Sequence, residues 1–238
     1  MFGESPKLVR AESAGENRET ELMQQREIFY AECMRLPAVE EAFALLDTLP
    51  SHLRYHTKEH TIDVIKETIL FALADGVSRG VIEQQVIAAA WHDVGYVEQD
   101  KGNEPIAVKL FENSASFPQL DVEIRNEIIS NIADTTVVIH EGSPNFHMSH
   151  SSFGYMLDGD LSNFGRDDFF TCMDKIAEET GVNLSNQGER TKMYAFVIAL
   201  LENHTWHTEG AHMLRNAKKQ RNLALLKSEY ANLTREAA

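Results

Sequence analysis

The chain has 238 residues, 43% of them hydrophobic and 25% charged, with 22 Lys and Arg against 37 Asp and Glu for a net charge of −15. This is a globular composition that excludes collagen-like, coiled-coil-only and wholly disordered chains, and its negative excess argues against a nucleic-acid polymer as partner, since phosphates demand a concentrated positive surface. The longest purely apolar run, Met193 to Leu201, falls far short of the roughly 20 residues of a membrane-spanning helix, so no membrane partner is expected.

The N-terminal stretch has no apolar h-region, and two cysteines, Cys33 and Cys172, are too few for a disulfide framework. Both features favour a cytoplasmic setting. Residues 1–18 are polar and weakly periodic and are expected as a flexible tail, leaving 19–238 as a single all-α domain. Leu22, Ile28, Phe29 and Met34 share a first helical stripe; Val39, Phe43, Leu45 and Leu46 form a second that ends near Pro50. A third helix is predicted from about Thr57 to Ala74, stopping at Asp75-Gly76. A fourth runs from Val81 to about His92, apolar nearly all round and so expected at the centre of a bundle. Glu104–Glu112 and Asp121–Asp134 follow as amphipathic helices. Thr135 to Ile139 is the only strand-like patch, and 141–149 reads as a loop. Arg166 to Thr180, closed by Gly181, then Thr191 to Glu202 and Met213 to about Leu233 complete the helical pattern.

Four places carry candidate chemistry. In Arg54-Tyr55-His56-Thr57-Lys58-Glu59-His60, the imidazoles stand four residues apart, so one cavity can receive both. His92 and Asp93 end the apolar fourth helix; adjacent helical side chains diverge by about 100°, and a cation lying between them would satisfy that geometry. Asp158 and Asp160 sit in an apolar segment, where a carboxylate needs a cation or several donors, or else caps a helix. The remaining histidines are His140, His147, His150, His204, His207 and His212. The last three have no i, i+4 spacing and read as structural or exposed. Imidazole with carboxylate is an ordinary ligand set for Mn, Fe, Co, Ni or Zn.

The strings RYHTKEH (54–60), AAWHDVGY (89–96), Asn103-Glu104, DTTVVIH (134–140) and LDGDLSNFG (157–165) resemble, in order, those of the HD superfamily of metal-dependent phosphohydrolases, closest to its compact bacterial group. The likeness covers about residues 50–165. It implies a helical HD-type bundle with a metal site between helices and His60, His92, Asp93 and Asp160 as ligands to a divalent transition metal, with Mg as an optional second ion. Asp160 is preferred to Asp158 because it holds the second Asp of the family's Asp-x-Asp-Leu string. The resemblance further implies a phosphohydrolase acting on a small phosphorylated substrate, a nucleotide foremost, with His56 and Asp93 catalytic and His56 the proton donor. His140 and Glu104 would serve a second metal or the substrate. From position alone, Asp63, three residues beyond His60, would orient a ligand imidazole or else sit solvated on the polar face, and Arg54, Lys58 and Lys101, near the motifs in sequence, are the candidates to grip phosphate. No adjacent His-His pair is present, unlike in the multi-histidine dinuclear subfamilies. Two alternatives stay open: a di-iron oxygenase of the same fold, using His140 with His147 or His150, and a regulatory module that binds metal or nucleotide without turnover. The sequence also leaves the oligomeric state, a homo-oligomer included, undetermined.

Overall fold

The computed structural model describes residues 6–140, 143–146 and 150–236. Its helices are α1 (Pro6–Cys33), α2 (Pro37–Leu46), α3 (Lys58–Asp75), α4 (Arg79–Trp91), α5 (Glu104–Glu112), α6 (Val122–Asp134), α7 (Tyr155–Asp160), α8 (Phe169–Thr180), α9 (Gln187–Asn203) and α10 (Glu209–Glu236). The fold is all-α, as the periodicity predicts. One hairpin interrupts it: β1 (Val137–His140) pairs antiparallel with β2 (Ser143–Phe146), Val137 opposite Phe146. Among the described residues no helix is long and apolar enough to cross a membrane.

Two local expectations need correction. The expected tail is helical from Pro6 onward; Pro suits a first helical position, and Lys7, Leu8, Arg10, Ala11 and Glu12 are good helix formers. Residues 1–5 lie outside the described part. The expected loop 141–149 contains β2, whose Ser-Pro-Asn-Phe sequence has no β-branched alternation to announce it. Its pairing comes from β1, which does.

The remaining boundaries follow local chemistry. Thr57 caps α3 by accepting the His60 N–H, and Gly76, at φ 68°, ends it in the left-handed conformation. α4 is buried from Val86 to Trp91, as its all-round apolar sequence demands, and the Trp91 indole N–H donates to the Ala38 carbonyl at 2.8 Å. α3 is enclosed as well, touching α1, α4, α7 and α10. Val64, Ile65, Ile69, Leu70 and Phe71 are almost solvent-free, each contributing roughly 1.5–3 kcal/mol by burial. Its buried Glu67 is held by Arg215 of α10 in a two-point pair at 2.7 and 2.8 Å.

The apolar interior forms two clusters. The larger gathers α2, α3, α4, α6 and α7; the smaller gathers Leu161, Phe164, Phe169, Leu201 and the inner face of α10. Asp160 lies between them, after Leu157 of the first and before Leu161 of the second. The polar site described next therefore opens at a seam between two hydrophobic bodies.

Candidate metal centre

Three elements deliver the site. The cap at Thr57 fixes the register of α3, so His60 falls in the first turn, its ring 5.6 Å from that of His92 between centroids. α4 runs on through His92, still helical at φ −58°, ψ −39°, and breaks at Asp93, at φ −99°, ψ 0°. That break aims the Asp93 carboxylate back towards His92, resolving the divergence that a continuous helix would impose. The turn Val94–Val97 follows. Its Gly95 lies against Asn103, whose carbonyl oxygen would be only 2.0 Å from an added Cβ. Asn103 in turn donates to the His92 carbonyl at 3.3 Å. Asp160 arrives on the last turn of α7, which lies on α3 through Gly159: a Cβ there would be 2.5 Å from Thr68 Oγ1.

The four groups converge. Asp160 Oδ1 is 3.1 Å from His60 Nε2 and 3.7 Å from His92 Nε2; Asp93 Oδ2 is 3.2 Å from His92 Nε2 and 3.6 Å from His60 Nε2. Ligands about 2.1 Å from one cation stand roughly 3.0–3.4 Å apart; the 3.1 and 3.2 Å separations fall in that range, and those at 3.6 and 3.7 Å lie a few tenths of an ångström beyond it. Ligand atoms of His60, His92 and Asp93 all lie within 4.8 Å of one another. His92 donates from Nδ1 to the Ala89 carbonyl at 2.7 Å, which leaves Nε2 turned to the centre. His92 Nε2 and Asp93 Oδ2 are both buried without a hydrogen-bond partner. Unpaired buried donors and acceptors are costly, and a cation would satisfy both. The donor set could therefore hold a metal ion.

The electrostatics agree. Burial opposes charge on His92, yet the Asp93 and Asp160 carboxylates overcome it and raise the imidazole to about 9. Burial likewise opposes charge on Asp93, but His92, His56 and His60 hold its carboxyl well below the usual range. The buried Asp93 carboxylate thus draws positive charge towards the centre.

Beside this centre lies a second polar group that the sequence did not reveal. Glu179, near the end of α8, accepts the backbone N–H groups of Arg54, Tyr55 and His56 at 2.8, 2.8 and 3.1 Å on one oxygen, and His56 Nδ1 on the other. Burial opposes the Glu179 charge, but His56 and these amides hold it at about 2. The His56 ring stacks on Tyr96, centroids 4.4 Å apart, and lines a cavity of about 590 Å³ shared with His92, Asp93 and Asp160. No local sequence pattern could have paired Glu179 with His56; only the folded path of α8 does.

Other expected residues divide. Asn103 and Glu104 line the cavity. Arg54, Lys58 and Lys101 do not: Arg54 and Lys101 are exposed, and Lys58 reaches Asp47 at 2.5 Å. Neighbourhood in sequence did not carry their side chains to the site: of Arg54 it is the backbone N–H that reaches Glu179. Asp63 turns from the imidazoles to Arg166 at 3.1 Å. Asp158 accepts the backbone N–H groups of His207 and Thr208 and the Thr208 hydroxyl, bracing the start of α10; burial raises its carboxyl to about 7. His140 ends β1, and its side chain, like all of His147, lies outside the described part. His150 is exposed and engages Asp134 at 2.9 Å. His204 is buried beside Lys219, and His212 is exposed. No family model matches the chain, and no curated protein or solved structure is similar to it.

Proposed function

We propose that the protein is a metal-dependent phosphohydrolase of the HD type, holding a divalent transition ion with His60, His92, Asp93 and Asp160 and hydrolysing a small phosphate ester. The observation that supports this reading is the convergence of two imidazole nitrogens and two carboxylates, two of those atoms buried and otherwise unpaired. When bound, such an ion supplies Lewis acidity, polarising a phosphoryl oxygen and acidifying a water. Asp93, buried and ionised, doubles as ligand and as hydrogen-bond acceptor for the attacking water. His56, anchored through Nδ1 to Glu179, has Nε2 left to carry a proton to the departing oxygen. Glu179 fixes that tautomer and stabilises the imidazolium, while Tyr96 holds the ring plane. Glu104, which lines the same cavity, is placed to meet a second ion or the substrate. The buried free thiols Cys33 and Cys172 fit a reducing, cytoplasmic setting.

The test is metal analysis of protein purified without chelator, joined to phosphate release from a range of phosphate esters. We expect one transition ion per chain and its loss, with activity, in His60→Ala and Asp160→Ala. If both variants fold, keep their metal and turn over normally, the assignment fails.

A further inference from the structure

Resting on the hydrolase reading of the metal centre, we propose that its substrate is an amphiphile, a phosphate monoester of a long apolar alcohol, and not a nucleotide. The cavity lined by His92, Asp93 and Asp160 is lined as well by apolar residues of α8 and α9, which we take as its apolar arm. Phe169, Met173 and Ile176 supply one wall at helical spacing on α8; Met193, Val197 and Leu200 supply the facing wall on α9. Two helices that turn matching apolar stripes towards each other would ordinarily close into core. Here Phe169, Met173 and Leu200 do join the smaller apolar cluster, with Met193 and Val197 packed against it, yet a cavity of about 590 Å³ remains beside them, a volume typical of small-molecule sites.

The charge of the walls selects the occupant. Among the described lining residues, Lys192 is the only lysine or arginine, and Glu104 and Glu189 offset it. A nucleoside polyphosphate would bring several negative charges against those carboxylates with one lysine to meet them. Polar side chains such as Asn163 and Thr180 also line the cavity, but the α8 and α9 walls are mostly Phe, Met, Ile, Val and Leu, which favour a hydrocarbon over the hydrogen-bonding edge of a nucleobase. A single phosphate head at the metal, with a hydrocarbon body along the arm, leaves neither conflict. In the reaction a water oxygen forms the new P–O bond as the ester P–O bond breaks. His56 gives its proton to the alkoxide and recovers one from the water, so the products are the free alcohol and inorganic phosphate.

The experiment uses the full chain loaded with Mn and compares n-alkyl phosphates from ethyl to decyl with AMP and ATP. The expected result is a kcat/KM that rises about threefold to fourfold per methylene until the arm is full, with both nucleotides below octyl phosphate. Ile176→Asn and Val197→Asn, at half-buried wall positions, should flatten that rise. Should these variants not fold, the thermal shift of the unaltered protein by n-alkyl phosphonates, which are not hydrolysed, gives the same chain-length dependence. Hydrolysis that ignores chain length and prefers AMP overturns the amphiphile while leaving the hydrolase reading intact. Phosphonate binding that strengthens with length, with no ester hydrolysed, keeps the amphiphile as ligand and sinks the hydrolase reading. Flat responses in both series overturn the proposal.

Discussion

Gly159→Ala probes how the centre is assembled without touching a ligand. Gly159 is where α7 meets α3, and an added Cβ would be 2.5 Å from Thr68 Oγ1, 2.9 Å from the Val64 carbonyl oxygen and 3.1 Å from the Thr68 nitrogen. The hydroxyl can rotate, but the backbone atoms cannot. Relaxing the 2.9 Å approach to an ordinary 3.4 Å moves α7 outward by about half an ångström. Overpacking of this kind costs about 1–3 kcal/mol. The same displacement carries Asp160, the next residue, away from His60 Nε2, now 3.1 Å distant. Metal sites tolerate about 0.2 Å in ligand placement, so affinity should fall about 10-fold to 100-fold. Urea unfolding measures the first effect, and competition with a chromophoric chelator for Mn measures the second. Adding Thr68→Ala relieves only the hydroxyl contact and should recover part of the stability. An alanine variant with the parent's urea midpoint and Mn affinity would refute the claim that this close helix contact positions Asp160.

Metal itself should stabilise the fold: Mn at 100 times its Kd adds about 2.7 kcal/mol, or roughly 5–10 °C in Tm for a chain of this size, and a chelator should remove the gain. An unchanged melting curve in scanning calorimetry would count against the site. Glu179→Gln keeps an acceptor for the three amides but loses the charge behind His56, so kcat should fall about 10-fold or more with little change in KM; stopped assays on the best ester decide this, and equal kcat values would remove Glu179 from the mechanism. His204 supplies a pH test remote from the metal. Burial and the Lys219 ammonium hold it neutral, lowering its pKa to about 3. The unfolded chain binds that proton more readily, so stability is complete above the ordinary histidine value of about 6.5 and declines as pH falls towards 3. Between pH 7 and pH 5 the imidazole should account for about 2 kcal/mol, seen as the difference in urea stability between the parent and His204→Gln; identical pH dependence in the two would contradict it.

The helices were legible because their signals are local. Thr57, Gly76 and Gly181 mark ends by backbone chemistry, and Glu104–Glu112 has its expected bounds. His60, His92 and Asp93 stood out by spacing and position at a helix end, and the resemblance named them as ligands; the fold groups the three. Asp160 needed the resemblance, because nothing local separates it from Asp158; the fold does so by committing Asp158 to the start of α10. What escaped is what only three dimensions decide. Glu179 reaches His56 across the fold, and Asp63 finds Arg166 there. The apolar stripe of α8 reads identically whether it closes on a neighbour or stops short of one, so the cavity left no trace in the pattern. The lysines and arginine near the motifs misled for the complementary reason: adjacency along the chain says nothing about which side of a helix faces the site.

One helix carries both the wall of the arm and the anchor of the proton donor. Phe169, Met173 and Ile176 stand on α8 a few residues before Glu179, which grips the loop of His56 through three amides. A tail lodged against that wall therefore bears on the same stiff segment that sets the aim of the imidazole. If the proposed reaction and substrate hold, occupancy at the far end would be coupled mechanically to bond cleavage at the near end, and a longer tail should quicken turnover itself as well as tighten capture.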